Sequence, residues 1–402
     1  MNKQLYSNYQ NYYLRRILQF CFRILSTFVP VKKNRILISC YAGKQYSCNP
    51  KYIVEYLHQV DQKRFDIILS VDDANINEII PRWMKSTKRY SLLCCYYYMS
   101  AKVIITNNSP SKIIPTKKNQ LLINTWHGGG AYKKVEKAID NDNTKQFAHR
   151  NRQYYNRNTS AYLSSSRLFT KYHIIDGCEY NGCILNTGMP RNDVFFYDLA
   201  NQQKIREKVY LSLKIDNSKQ IILYAPTMHD NSYTNQISVG NNGVIVENYR
   251  LDVKSLEKAA HERFSGDWIV VLRAHLGRKT YITDAVDASG YPDMQELLLA
   301  TDILISDYSS SIWDYSLTFR PCFLYCYDLE KYDEERGFFT PIREWGFPVC
   351  ETFPALIEAI RFFDEKDFRA KMKLHHERLG GFDDGHACER VAKFIHERME
   401  RF

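Results

Sequence analysis

Short apolar runs without polar alternation recur along the chain, each followed by a helical stretch. They are Arg35–Cys40, Phe65–Val71, Val103–Thr106, Leu121–Thr125, Ala161–Ser164 and Cys183–Asn186, and later Ile221–Ala225, Trp268–Arg273, Ile303–Ser306 and Cys322–Tyr325. A strand that faces water on one side alternates apolar and polar residues. A strand covered on both sides does not. The runs therefore predict parallel sheets flanked by helices such as Pro50–His58, Val253–Phe264 and Met294–Ala300.

The runs fall into two series, separated by the polar stretch 192–220. At 402 residues the chain is long enough for two such units, each with its own core. The expected class is α/β, with two Rossmann-like domains whose parallel sheets face a central cleft. The expected division is a basic amphipathic segment at 1–33, domains at 34–195 and 196–385, and a closing helix at 386–402. In the first segment Ile17, Leu18, Cys21, Ile24, Leu25 and Phe28 recur at helical spacing, with arginines between them. The stretch from Leu14 to Val29 is too short and too charged to span a bilayer, and it lacks a signal-peptide cleavage site. It reads as a helix that either lies on an anionic membrane or covers the protein's own core.

Charge is split along the chain. Residues 1–180 carry 28 Lys+Arg and 11 Asp+Glu, a net of +17; residues 181–402 carry 27 and 34, a net of −7, and the two sum to +10. Such asymmetry fits a polyanion or anionic surface that meets one half only, or a solvated basic face. Within the basic half, 143–175 holds six Lys/Arg and no acid, a candidate track for a polyanion. No RNA- or DNA-binding motif accompanies the charge, and no nucleic-acid partner is expected. The 11 cysteines include no CxxC pair and read as reduced thiols of a cytosolic protein.

Chemistry-bearing motifs cluster at strand ends. Trp126-His127-Gly128-Gly129-Gly130 follows the Leu121–Thr125 run, with Lys133 and Lys134 just beyond. Consecutive glycines let backbone amides approach a ligand, and a histidine there suits a general base near neutral pH. Asp307-Tyr308-Ser309-Ser310 runs from strand through a turn into an expected helix over 312–319, where hydroxyls and amides suit phosphate and Asp314 would favour the helix dipole. Arg273 and His275 alternate and so share a face. Gly188-Met189-Pro190-Arg191-Asn192-Asp193 and Tyr224-Ala225-Pro226-Thr227 are turn-like, and Arg336-Gly337 sits in a loop suited to an anion.

In this order the motifs resemble the CDP-glycerol glycerophosphotransferase family, the teichoic-acid primases and polymerases and related capsule enzymes. The resemblance runs from Ile36 to Ile395. It opens with Gly43-Lys44 to Asn49-Pro50. It continues through Trp126-His127-Gly128, Gly188–Asp193, Tyr224–Thr227, Arg273-Ala274-His275 and Asp307–Ser310 to Tyr327–Leu329, Arg336–Phe338, Asp384-Gly385 and Glu389-Arg390. Three departures stand out: Gly129-Gly130 where the family commonly has Thr-Pro, Leu276 after the Arg-x-His element, and Met228-His229 after Thr227. The resemblance implies a GT-B type fold, with acceptor bound by the N-terminal domain and donor by the C-terminal one.

It also implies transfer of polyol phosphate from CDP-glycerol or CDP-ribitol to a lipid-linked or polymeric anionic acceptor, with release of CMP. No cofactor and no metal are required. The expected catalytic residues are His127 and His275. Expected donor contacts are Gly128, Gly129, Gly130, Arg191, Asn192, Pro226, Thr227, Met228, Arg273, Ser309, Ser310, Asp314 and Arg336. Lys44, Lys133 and Lys134 are expected to meet the anionic acceptor. The expected place of action is the cytoplasm, at the inner face of the bacterial membrane. Two rival readings remain: a GT-B glycosyltransferase using a nucleotide sugar, and a non-catalytic polyanion- or membrane-binding protein.

Overall fold

The computed structural model describes residues 3–61, 64–72, 80–139, 145–227, 237–239, 245–247, 251–274, 279–280 and 284–400. The chain divides into two compact units. The first comprises Met1–His127, Val135–Asp193 and Phe382–Phe402; the second comprises Gly128–Lys134 and Val194–Gly381.

In the first unit the described elements are α1 (Lys3–Thr27), β1 (Lys32–Ser39), α2 (Cys48–Asp61), β2 (Asp66–Val71), β3 (Lys85–Lys88), α3 (Leu92–Ser100), β4 (Ala101–Thr106), β5 (Leu121–Asn124), α4 (Lys145–Asn158), β6 (Ala161–Ser164) and β7 (Cys183–Asn186). The strands form one parallel sheet in the order β3-β2-β1-β4-β5-β6-β7. Both faces are covered, as the unbroken apolar runs require. Ile36 and Ile38 pack with Ile53, Leu57 and Ile395 on one side. Leu37 packs with Ile68, Ile104 and Met99 on the other. The closing helix Ala387–Glu400 belongs to this unit, and its first turn is capped by Asp193. The Asp193 carboxylate accepts from the amides of Ala387 at 3.0 Å and Cys388 at 2.8 Å.

The second unit contains α5 (Leu199–Leu213), β8 (Lys219–Tyr224), β9 (Ile237–Val239), β10 (Ile245–Glu247), α6 (Val253–Phe264), β11 (Asp267–Leu272), β12 (Lys279–Thr280), β13 (Val286–Asp287), α7 (Met294–Ala300), β14 (Ile303–Ser306), α8 (Ser311–Ser316), β15 (Cys322–Tyr325), α9 (Leu329–Glu335), β16 (Val349–Cys350), α10 (Phe353–Arg361) and α11 (Glu365–Leu379). Its main sheet is parallel, in the order β13-β11-β8-β14-β15-β16, and β12-β10-β9 form a small separate sheet. Helix starts carry the caps that their side chains predict. Asp252, Asp293, Thr352 and Asp364 each accept from an amide in the first turn of α6, α7, α10 and α11.

Read in chain order, each main sheet begins 3-2-1-4-5-6, the order of a Rossmann sheet. The order reverses between β1 and β4 in the first unit and between β8 and β14 in the second. Ligands of such sheets bind beyond the carboxyl ends of those two strands. The sites to inspect are therefore the loops after Ser39 and Thr106, and those after Tyr224 and Ser306.

One expectation about the first segment is resolved. Ile17, Ile24, Leu25 and Phe28 of the N-terminal segment are exposed, at 61%, 47%, 52% and 80%, and Cys21 is exposed too. Gln19 and Ser26 are buried instead. Gln19 Nε2 donates to the Lys112 carbonyl at 2.9 Å, and Arg15 Nη1 to Asn151 Oδ1 at 2.7 Å. The inward face is mixed, with Phe22 packed against the core beside Gln19 and Ser26, while the exposed apolar side chains named above face away from it. No helix among the described residues is long and apolar enough to cross a membrane.

Candidate functional site

In the first unit the switch point holds His127. Its Nδ1 lies 2.8 Å from the carbonyl oxygen of Asn107, the residue just after β4. A carbonyl only accepts, so Nδ1 carries the hydrogen, and in the neutral ring Nε2 is the basic nitrogen. The ring stacks on Trp126 at 4.6 Å and lies 5.7 Å from the ring of Tyr41, in the loop after β1. The Asn107 side chain ties that loop in, its Oδ1 accepting from the Tyr41 amide at 2.7 Å.

The loop carrying His127 is held from behind. Trp126 has φ of 51°, a left-handed value costly for a bulky residue. Asn49 Nδ2 donates to the carbonyls of Thr125 and Trp126 at 3.2 and 3.1 Å. The same residue's Oδ1 accepts from the Arg191 amide at 3.2 Å. One buried asparagine thus joins the Asn49-Pro50, Trp126-His127 and Arg191 motifs. His173, tilted against Trp126 at 4.3 Å, is buried, and burial lowers its pKa to about 3, with His127 adding to the effect. It is a neutral packing partner at physiological pH.

The second unit gathers four motifs at its own switch point. After β8, the Thr227 amide donates to both carboxylate oxygens of Asp307, at 2.9 and 2.8 Å, and Thr227 Oγ1 to Asp307 Oδ1 at 2.5 Å. Asp307 follows β14, so this clamp closes the loops of the two central strands on each other. The segment after the glycines pairs with the Arg336 loop. Lys133 bridges Phe338, the Lys134 amide donates to the Gly337 carbonyl at 3.0 Å, and Arg336 Nε donates to the Lys134 carbonyl at 3.0 Å. Burial lowers the Lys133 pKa; the charge of Asp307 opposes this and that of Arg336 adds to it. Lys133, Arg336 and the Thr227–Asp307 clamp therefore share one electrostatic neighbourhood.

The glycines have distinct reasons. A Cβ on Gly129 would lie 2.2 Å from Cδ1 of Trp313, so the backbone rests directly on the indole of α8. Gly130 has φ of 80°, and a Cβ there would meet the Tyr132 ring at 2.5 Å. Tyr132 is anchored in turn by His375, its hydroxyl 2.7 Å from Nε2.

The remaining expected residues are placed as follows. Gly128 is buried in the second unit, and Pro226 is half-buried beside Thr227. Ser309 and Ser310 are half-buried, and Ser309 Oγ accepts from the Ser311 hydroxyl at 3.0 Å. The helix behind them, α8, has six residues rather than the longer run expected, and Ser310 makes no side-chain cap to it. Asp314 is buried and accepts from Gln295 Nε2 at 3.0 Å. Arg273 spends Nη1 on the carbonyls of Ala288 and Tyr291. Arg191 and Asn192 are buried in the first unit, where Arg191 reaches Cys48 Sγ and Asn192 Nδ2 donates to Asp383 Oδ1 at 3.2 Å. Lys44 is exposed after β1. His275 and Met228 lie outside the described residues. Residues passed over at the sequence level are Asn107, Tyr41 and Trp313. A polar Asn107-Asn108 pair closing the Val103–Thr106 run was the available signal for the first.

Residues 21–397 match the family described as CDP-Glycerol:Poly(glycerophosphate) glycerophosphotransferase. A teichoic acid poly(glycerol phosphate) polymerase of Bacillus spizizenii is 30% identical over 363 residues, 86% of this chain and 88% of that protein. A polymerase of the same description from Staphylococcus epidermidis is 28% identical over 385 residues, 92% of this chain but 51% of the relative, so the chain spans about half that relative's length. A solved structure of the wall teichoic acid polymerase TagF superposes with a TM-score of 0.81 at 25% identity, covering 100% of this chain and 99% of that one. The matched span, the motif order and the paired Rossmann sheets agree: this chain belongs to the CDP-glycerol:poly(glycerophosphate) glycerophosphotransferase family of enzymes, with a GT-B type α/β fold.

Proposed function

We propose that the chain moves glycerol phosphate or ribitol phosphate from its CDP-activated form to a hydroxyl of a lipid-linked or polymeric acceptor in teichoic-acid or capsule-type synthesis. The acceptor oxygen attacks the phosphorus bearing the polyol. The bond from that phosphorus to the bridging oxygen breaks, and CMP leaves with the electron pair. The acceptor proton passes to Nε2 of His127. The step balances without a cofactor. Lys133, Arg336 and the amides of the Gly128–Gly130 loop stabilise charge on the donor phosphates, as phosphoryl transfer requires. Ser309, Ser310 and Thr227 line the same phosphates. Arg191, Asn192, Arg273 and Asp314 act as positioning residues through the contacts given above.

The observation that carries this reading is the His127–Asn107 contact, which presents a basic nitrogen at a switch point. The next residue, Gly128, opens the glycine loop of the second unit, so base and loop are covalent neighbours. We assign acceptor binding to the first unit and donor binding to the second, with Lys44 of the first unit attracting the anionic acceptor. The outward apolar stripe of α1, with Arg16 and Arg23 exposed beside it, supports attachment to an anionic membrane at its cytoplasmic face.

The test is incubation with CDP-glycerol, CDP-ribitol and a panel of UDP-sugars, with released CMP or UDP as the readout. CMP release from a CDP-polyol supports the proposal. UDP release alone would make the chain a glycosyltransferase, and no release with any donor would favour a binding protein.

A further inference from the structure

The glycine loop of the second unit rests on two aromatic rings. Gly129 lies against the indole of Trp313 and Gly130 against the ring of Tyr132, each too close for a Cβ. Both rings are buried. In close packing, whatever fixes the two rings also fixes the loop that touches them.

Each ring is held by one of two adjacent histidines near the end of α11. His375 Nε2 lies 2.7 Å from the Tyr132 hydroxyl, and the two rings are parallel to within 9°. The His376 ring lies 4.9 Å from that of Trp313. Its Nε2 is 3.0 Å from Ser316 Oγ, and the Ser316 hydroxyl donates to the Trp313 carbonyl at 2.7 Å. A hydroxyl has one hydrogen, so Ser316 accepts from His376, and Nε2 carries the proton. His376 thus grips Trp313 both through its ring and through Ser316 of the same helix, α8. The helix α11 then stops at Gly380, which has φ of 65°. Gly381 closes on the same indole, where a Cβ would lie 3.3 Å from Cη2.

This chemistry is costly for packing alone. Burial lowers the pKa of His375 to about 3, with His376 and Arg378 adding to the effect, and burial lowers that of His376 as well. A helix C-terminus ordinarily favours a protonated histidine. Here burial outweighs the dipole, and both rings are neutral at physiological pH. Leu or Phe would fill such space without desolvating an imidazole. What the imidazole adds is a directional bond that fixes where a neighbouring group stands. The segment after the glycines is tied down as well: the Tyr132 carbonyl accepts from the Phe339 amide at 2.9 Å, and the Trp345 ring lies 4.3 Å from that of Tyr132.

We infer that His375 and His376 are positioning residues for donor binding: through Tyr132 and Trp313 they set where the Gly128–Gly130 loop meets the donor phosphates. The inference rests on the proposed role of that loop at those phosphates.

The test uses the full chain with CDP-glycerol and CDP-ribitol, and CMP release is read over a range of donor concentrations. His375→Phe and His376→Phe each keep a ring and lose a hydrogen bond. Each should raise the donor KM by about tenfold, with kcat within about threefold of wild type. His375→Gln and His376→Gln return a polar nitrogen near the place of Nε2 and should recover most of the donor KM. A merely structural role would lower the active fraction, cutting kcat at an unchanged KM, and that result would overturn the inference. Tyr132→Phe removes the same bond from its other end and carries the test if a histidine variant fails to fold. It should also raise the donor KM, and adding His375→Phe should change little more. Strict additivity of the two would count against the inference.

Amide exchange of residues 128–134 in the ligand-free chain, read by mass spectrometry, gives an arm without turnover. It should quicken by about tenfold in His375→Phe. Unchanged exchange would overturn the inference whatever the donor. Failure of the proposed function shows differently, as a wild-type chain that releases no CMP from either donor. Faster exchange would even then support the hold of the histidines on the loop.

Discussion

His127 Nδ1 sits 2.8 Å from the Asn107 carbonyl, and the two residues come from loops that follow neighbouring strands, β5 and β4. The parallel pairing of those strands brings the loops side by side. The tautomer of the histidine is thus set by sheet register, through a backbone group that no side-chain substitution removes.

The clamp between Thr227 and Asp307 should govern donor binding. Asp307→Asn turns an acceptor of three hydrogen bonds into a group that presents N–H to N–H. The expected cost is about 1–3 kcal/mol of stability, with a raised KM for the CDP-polyol. Denaturant unfolding and steady-state kinetics check both. An unchanged KM would remove the clamp from the donor site.

Gly129 rests on the Trp313 indole with no room for a methyl group. Gly129→Ala should destabilise the protein by about 1–3 kcal/mol through overpacking. A second substitution, Trp313→Leu, should return part of that loss by making space. Unfolding curves of the single and double variants measure the coupling, and strict additivity would contradict the contact.

His173 gives a signed pH dependence. In the folded state it stays neutral until pH falls to about 3, against 6.5 for a free imidazole. The unfolded chain therefore binds the proton first as pH drops below 6.5, and stability is lost through that window. Relative to wild type, His173→Phe should lose about 2 kcal/mol less stability between pH 7 and 4.5. Urea unfolding at the two pH values reads the difference. Equal losses would mean that the folded protein already accommodates a charged His173.

The exposed stripe on α1 predicts membrane attachment. Replacing Ile17, Phe20 and Ile24 with serine should weaken sedimentation with anionic vesicles by about tenfold or more. Stability should be little changed, because these side chains are exposed. Unaltered vesicle binding would place the contact elsewhere.

The central strands were legible because burial on both faces leaves an unbroken apolar run. Of the four edge strands of the two main sheets, β7 was legible and the other three were not. β3 reads Lys-Ser-Thr-Lys, a polar edge that no apolar pattern marks, and β13 and β16 are two residues each. At the site, residue types at strand ends pointed to His127, Thr227 and the glycines. Their partners were out of reach of local reading. Asp193 caps a helix 194 residues later, and Arg152 is neutralised by Glu179 across 27 residues. The candidate track in 143–175 looked uniform in sequence, yet two of its charges, Arg152 and Lys171, have carboxylate partners.

The central claim is that His127 is the base for acceptor attack. CMP release from the CDP-polyol in the presence of acceptor, compared between wild type and His127→Ala, tests it most directly. Turnover should fall ~10²–10⁴-fold with little change in donor KM. Turnover within a few-fold of wild type would contradict the account.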